Sequence, residues 1–309
     1  NKNSQNYLVL EVTSHSIHQN RIWGIPIKIA GITNITHEHL DYHKTYENYL
    51  NVKAKLLKKA EVAVINRDDY SYDSLFKILR KKQSKKIITY GLNSNAAVNP
   101  KTFGIPDSIW GEYNKYNALL AASICQELGL SDKEIKKAME SFKMPKGRAE
   151  IVYKENFSIM IDFAHTPNAF KKLLSALRPK VKGKIIHVFG SAGLRDKTKR
   201  PLMGEISASF ADFLILTSED PRSESVERIM DGIESGISKE QKEKIVLERI
   251  KDRQKAINRA VSLAKKGDFV VITGKAHEKS MNMGQGELPW DEFKAVEFAL
   301  SQKNKDHAD

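Results

Sequence analysis

The sequence predicts two consecutive α/β units on mostly parallel sheets, the second of them doubly wound, and three observations carry that expectation. Short apolar runs rich in Val and Ile alternate with stretches of helical period along nearly the whole chain, which is the pattern of βαβ units. The alternation breaks at "KMPKGRAE" (143–150), where Pro and Gly make a hinge, and then restarts. Several strand-like runs end in polar or charged residues, as they do where ligands gather at the carboxyl ends of an open parallel sheet.

Taken in order, "YLVLEV" (7–12), "IKIAGIT" (27–33) and "EVAVIN" (61–66) read as buried strands, with helical patterns at 45–59 and 113–129 and a further strand at 87–90. Ser131 and Glu134 have capping-box spacing and open a helix that ends near Phe142. After the hinge, residues 157–164, 184–190, 212–218, 244–250 and 269–274 read as strands separated by helices. The boundary is placed near Arg148, giving a first domain over 1–148, a second over 149–303 and a polar tail over 304–309. The run at 7–12 reads as an interior strand with only six residues before it, so the first domain is expected to be incomplete at its N-terminal side.

At 309 residues the chain is long enough for about two domains with proper cores. No apolar run approaches the roughly 20 residues that a membrane helix needs, so no membrane role is expected. The first six residues are polar and carry no leader pattern. The single cysteine, Cys125, lies among Ala and Leu in a helical run and reads as a small core residue. One cysteine excludes an internal disulfide and fits a reducing compartment, so a cytoplasmic location is expected. The formal charge of +13 favours an anionic partner. The densest basic stretch, 80–86, has neither an aromatic platform nor zinc-finger spacing, and a solvated surface rather than a nucleic-acid site is expected there.

Chemistry concentrates first in "TNITHEHLDYHKTYENYLNVKAKLL" (33–57), where His37, His39 and His43 crowd with Glu38, Asp41 and Glu47 around the start of an amphipathic helix. Tyr46, Leu50, Leu57 and Ala60 mark the apolar stripe of that helix, and Lys53 falls inside it. Two readings of Lys53 stay open. Its stem snorkels and carries the amine to water, or desolvation leaves a neutral amine that takes up carbon dioxide as an anionic carbamate. Glu11 at one strand end and His39 after the next offer an oxygen and a nitrogen to one metal ion; histidines that merely cap a loop are the plainer alternative. Further on, "FGSAGLRDKTKR" (189–200) presents backbone N–H groups and the cations Arg195, Lys197, Lys199 and Arg200, either to an anion or to solvent at a basic helix start. Arg222, behind Pro221, is placed to grip a carboxylate in bidentate fashion or to pair with Glu224 or Glu227 at the surface.

These segments, with "EVTSHSIHQNR" (11–21), "NKYNALLAASI" (114–124), "PKGRAE" (145–150), "IDFAHTPNA" (161–169), "TSEDPRSES" (217–225) and "GKAHE" (274–278), occur in an order that resembles the Mur ligase family of peptidoglycan synthesis. The resemblance covers nearly the whole chain, and the "AHTP" form is similar to the branch that adds the third stem-peptide residue. It implies an incomplete central ATPase-type domain with a mostly parallel sheet, followed by a Rossmann-like C-terminal domain. It implies that Glu11, His39 and Lys53, the last as a carbamate, are catalytic and hold magnesium. Thr13, Gln19 and Arg21 are implied to hold a UDP-N-acetylmuramoyl-dipeptide, with Thr13 in place of a more usual serine. Asn117, Arg148 and Asp162 are implied to contact ATP, Asp162 at the ribose. Arg195, Glu219, Asp220, Pro221, Arg222, Gly274 and Glu278 are implied to form the pocket for the incoming diamino acid.

The chain departs from the family pattern at two points. Residues 219–222 read Glu-Asp-Pro-Arg where the family reads Asp-Asn-Pro-Arg, and an ionised aspartate cannot donate the hydrogen bond that asparagine can. Nothing resembles the glycine-rich phosphate loop, which the family carries upstream of Glu11, so an upstream domain or partner chain supplying it is expected. The expected function is ATP-dependent ligation of a diamino acid, meso-diaminopimelate rather than L-lysine, through an acyl phosphate. The alternatives are another amide ligase of the superfamily, cyanophycin-synthetase-like or amidating, and a non-catalytic nucleotide-binding remnant or subunit.

Overall fold

The computed structural model describes residues 7–36, 39–81, 85–93, 95–106, 109 and 111–306. They fall into two compact units, Asn1–Phe142 and Lys143–Asp309, against the expected boundary near Arg148. The first unit runs α1 (Ser14–His18), β1 (Ile29–Ile32), α2 (Leu40–His43), α3 (Tyr46–Lys59), β2 (Val62–Asn66), α4 (Tyr72–Arg80), β3 (Lys86–Tyr90), α5 (Glu112–Glu127) and α6 (Asp132–Glu140). Its strands are parallel in the order β1-β2-β3. Ala63 and Ile65 of β2 pack with α3 and α4, while Val64 between them packs with α5 and α6. Cover on both faces is why a continuous apolar run, rather than an alternating one, marks this strand.

Residues 7–12 overturn one expectation. They are coil, with Tyr7, Leu8, Val9 and Leu10 exposed, because no described strand lies beside them to pair their backbone groups.

The second unit runs β4 (Glu150–Lys154), β5 (Ser158–Asp162), α7 (Pro167–Leu177), β6 (Ile185–Phe189), α8 (Lys199–Phe210), β7 (Phe213–Leu216), α9 (Val226–Glu234), α10 (Lys239–Lys242), β8 (Val246–Arg249), α11 (Arg253–Leu263), β9 (Phe269–Thr273), β10 (Ser280–Asn282), β11 (Glu287–Pro289) and α12 (Glu292–Asp306). The main sheet has the order β4-β5-β9-β6-β7-β8, parallel except for β4 at its edge. Ile159, Ile161, Ile186, Val188, Val270 and Ile272 pack against α11 and α12. The alternate residues point the other way, where Phe170 of α7 meets the rings of His187 and Phe189. This is the doubly wound arrangement. The chain passes from β5 to β6, runs outward to β8 and returns to insert β9 between them, so the switch in strand order, where ligands gather in such sheets, falls at the carboxyl ends of β5, β9 and β6.

The tail expected at 304–309 is helical as far as Asp306, because the Lys303 amine donates to the carbonyls of Val261, Ser262 and Ala264 at the end of α11 and holds α12 there. No helix among the described residues is long and apolar enough to cross a membrane.

Candidate active site

In the first unit the functional side chains gather where α1, α2 and the start of α3 meet. Thr45 Oγ1 accepts from Asn48 N at 3.1 Å and begins α3, whose buried residues include Tyr49, Leu50, Ala54 and Leu57. Lys53 is half-buried beside them, and its Nζ stands 5.3 Å from the centroid of the Tyr49 ring. The same ring meets His39 at 5.9 Å and stacks on His43 at 5.2 Å. His39 has φ 57°, a left-handed conformation that a side-chain-bearing residue adopts at some cost.

Two hydrogen bonds tie α1 to this cluster: Ser14 Oγ with His43 Nε2 at 2.9 Å, and His18 Nδ1 with the Tyr42 hydroxyl at 2.8 Å. Thr13 caps α1, its Oγ1 accepting from Ser16 N at 3.1 Å, and the Gln19 amide donates to the Tyr42 hydroxyl at 3.4 Å. Arg21 and Glu11 are exposed on the flanking chain, while His37, Glu38 and the Asp41 side chain lie outside the described residues. A carbamate on Lys53 would offer a magnesium ion oxygen donors and the His39 imidazole one nitrogen, with waters completing its shell; the Lys53 amine and the His39 ring both meet the Tyr49 ring. Glu11 lies on the coil before α1, and among the described residues no three His, Cys, Asp or Glu side chains are grouped to hold a metal.

In the second unit Asp162 ends β5. Its buried carboxylate accepts from Ala149 N at 2.7 Å and from Ala164 N at 2.6 Å. Burial raises its pKa, against the pull of those two N–H groups and of Arg148 and His165. The Arg148 guanidinium lies 4.7 Å from the centroid of Phe163, and the rings of His165 and His277 meet the same phenyl at 5.0 and 4.8 Å.

At the neighbouring strand ends, Glu219 follows β7 and Gly274 follows β9. Both are buried, and Gly274 has φ 108°. Glu219 Oε2 accepts no hydrogen bond among the described residues. Burial raises the pKa of this carboxyl, opposed by the charges of Lys199, Arg253, His165 and Lys275. Asp220 Oδ1 accepts from Lys275 Nζ at 2.8 Å and from Asn282 N at 2.9 Å. Lys275 is itself buried and also pairs with Glu278 at 2.7 Å. Arg222 Nη1 donates to the Gly193 carbonyl at 2.7 Å. Gly193 has no room for a side chain, since a Cβ would overlap the Pro221 carbonyl. Asp220 and Arg222 both hold positive φ, 42° and 53°, in one strained turn. Glu224 does not pair with Arg222. It pairs with Arg200 at 2.8 Å and Lys197 at 3.4 Å, and the Arg200 bond chiefly pulls its pKa down to about 2.

Residues 1–125 match the family profile for the Mur ligase middle domain, and residues 147–276 match that for the Mur ligase glutamate ligase domain. The chain belongs to the Mur ligase family. It is 36% identical to UDP-N-acetylmuramoyl-L-alanyl-D-glutamate–2,6-diaminopimelate ligase 1 of Clostridium acetobutylicum, over 94% of this chain and 63% of that protein. The Aquifex aeolicus ligase of that name (there without a number) is also 36% identical, over 95% of this chain and 63% of its own length. A solved structure of such a ligase is 30% identical with a TM-score of 0.57, covering 95% of this chain and 64% of that one. E. coli FolC in complex with ADP, 18% identical with a TM-score of 0.63, covers 91% of this chain and 63% of its own, and shows the fold alone. The chain thus spans just under two thirds of the length of the curated relatives it matches.

Within this Mur ligase chain, Glu219, Asp220, Pro221, Arg222, Gly274 and Glu278 come together at the ends of β7 and β9. Arg195 is exposed on the loop after β6, and Asn117 is exposed on α5 of the first unit. Arg148 and Asp162 share a neighbourhood through Ala149 and Phe163. Lys275 and the Arg200–Glu224 pair were not singled out from the sequence. Lys275 stands inside "GKAHE", but one lysine beside a glycine carries no sign of burial.

Proposed function

We propose that this chain provides the middle and C-terminal parts of a cytoplasmic, ATP-dependent ligase that joins meso-diaminopimelate to the D-glutamate of UDP-N-acetylmuramoyl-L-alanyl-D-glutamate. The observation that carries this reading is that one turn after β7 holds both Glu219 and Arg222, each with bonding capacity to spare. Glu219 has a buried carboxylate oxygen with no donor among the described residues, and such an acceptor asks for one. The hydrogen bonds of Arg222 within the described residues use Nη1 alone, which leaves a fork for a carboxylate. An ammonium for the first and a carboxylate for the second is the chemistry of an amino acid. The names of the relatives support the same substrates.

The reaction follows in two steps. An oxygen of the D-glutamyl γ-carboxylate attacks the terminal phosphorus of ATP, the bond to ADP breaks, and an acyl phosphate forms. The amine nitrogen of the diamino acid then attacks the acyl carbon. The tetrahedral intermediate expels phosphate, and the nitrogen loses a proton as the amide forms. Glu219 and Arg222 hold the amino acid by its charges, while the Asp162 carboxylate retains lone pairs for ribose hydroxyls beyond its two backbone bonds. Thr13, Gln19 and Arg21 present the muramoyl-dipeptide. Magnesium, held by His39 and carbamylated Lys53 with Glu11 from the preceding segment, would offset charge on the transferred phosphoryl group.

The test is amide formation by the complete enzyme with ATP, UDP-N-acetylmuramoyl-L-alanyl-D-glutamate and a panel of acceptors. The expected result is product and ADP with meso-diaminopimelate and little of either with L-lysine. No amide with any acceptor overturns the reading, and preference for L-lysine overturns its choice of substrate.

A further inference from the structure

Arg253 opens α11, where the positive end of the helix dipole disfavours a cation, and it is fully buried. Such a guanidinium is costly unless its donors are used. Its Nε donates to Glu292 Oε2 at 3.0 Å and its Nη2 to Glu292 Oε1. Glu292 stands at the start of α12, where the dipole favours an anion, and also accepts from Trp290 Nε1 at 2.7 Å. The other bonds of Arg253 leave the ion pair. Nη1 donates to the Ser218 carbonyl at 3.1 Å and Nη2 to the Thr273 carbonyl at 2.8 Å.

Those carbonyls belong to the residues directly before Glu219 and Gly274. One guanidinium therefore fixes the ends of β7 and β9 at the separation that lets Gly274 make room for the Glu219 carboxylate. For packing alone, an apolar pair of similar volume would serve at no greater cost. Only a planar fork with several donors can hold two carbonyls and a carboxylate at once.

We propose that Arg253, oriented by Glu292, is a positioning residue for the incoming amino acid. It does not touch the ligand; it sets the distance between the turn at 219–222, which carries Glu219 and Arg222, and the turn at 274–278. The proposal rests on the reading of these turns as the amino-acid pocket.

Arg253→Lys keeps the charge and loses the fork. In the complete ligase this variant is expected to raise the KM for diaminopimelate by about tenfold or more while the KM for ATP stays within about twofold, since misplaced contacts act on the substrate they hold. Glu292→Gln, the milder variant, is expected to move the same KM in the same direction by about threefold. Amide hydrogen exchange on the chain itself is a second readout that needs no activity. In either variant the amides of Gly193, Arg222 and Asn282, which link these turns to their neighbours, are expected to exchange faster, with Val64 and Ile65 of the first unit unchanged. An inactive parent enzyme would overturn the functional reading, and exchange would still decide the role of Arg253. Unaltered exchange, or KM values for ATP and diaminopimelate that rise together, would overturn the proposal.

Discussion

Gly274 yields its side-chain space to Glu219: a Cβ built on the glycine overlaps the carboxylate, and the backbone there holds φ 108°. Space and conformation both call for glycine. Gly274→Ala is expected to lower stability by about 2 kcal/mol, from strain at the positive φ and displacement of a buried group, and to weaken amino-acid binding. Urea unfolding and the KM for the acceptor check this together; parent values for both would show that the contact is dispensable.

Glu219 itself is expected to trade stability for function. Burial raises its carboxyl pKa above the ordinary value. The folded state therefore keeps a proton that the unfolded chain has released, and stability declines as pH rises from the ordinary carboxyl value through the raised one. Glu219→Gln removes that decline. It should be at least as stable as the parent at neutral pH yet bind diaminopimelate much more weakly. A Gln variant less stable than the parent at pH 7 would mean that native contacts hold the ionised carboxylate.

His187 gives the opposite slope. It is fully buried between Ser207 Oγ at 3.1 Å and Thr273 Oγ1 at 3.0 Å, and burial, aided by the Arg253 charge, pushes its pKa down to about 3. The unfolded chain takes up a proton that the native one refuses, so stability is full above the unfolded value near 6.5 and falls as pH drops toward 3. His187→Gln should flatten this part of the stability curve by about 1 kcal/mol per pH unit. Parallel curves for parent and variant would assign the acid sensitivity elsewhere.

Lys53→Ala in the complete enzyme is expected to abolish turnover, and added short carboxylates are expected to restore part of it by standing in for the carbamate. The motive is the placement of its amine against Tyr49 in the neighbourhood of His39. Undiminished turnover of Lys53→Ala would refute the role.

Arg222→Ala should erode the preference for diaminopimelate over L-lysine, because only the former has a second carboxylate for the guanidinium to grip. Asp220 is already engaged by Lys275 at 2.8 Å, which lessens its ability to neutralise Arg222 or to draw a lysine ammonium. Competition between the two acceptors measures this, and an unchanged ratio in Arg222→Ala would rule Arg222 out as the discriminator.

The strands that were legible in the sequence are those buried on both faces, such as β2 and β9, since continuous Val and Ile runs admit few other readings. The edge strand β4 and the hairpin of β10 and β11 were missed: they are short, partly exposed and set by tertiary pairing more than by pattern. Residues 7–12 failed in the other direction, because an apolar run records the capacity to pair and not the presence of a partner. In the site, residues within ordered motifs could be placed, Glu219 and Arg222 among them. The long-range partners of Lys275 and Arg253 could not, since Asp220 and Glu292 lie tens of residues away and no local spacing encodes such an ion pair.

The position of β9 has a consequence for synthesis. It is the last strand made of the main sheet, yet it sits between β5 and β6, the second and third made. While residues 269–273 are still unmade, β5 and β6 each expose an unpaired edge of apolar backbone that can recruit other chains. Ribosomal pausing or early termination ahead of residue 269 would therefore yield a sticky nascent chain rather than a smaller folded domain, and chaperone demand should peak just before that strand emerges.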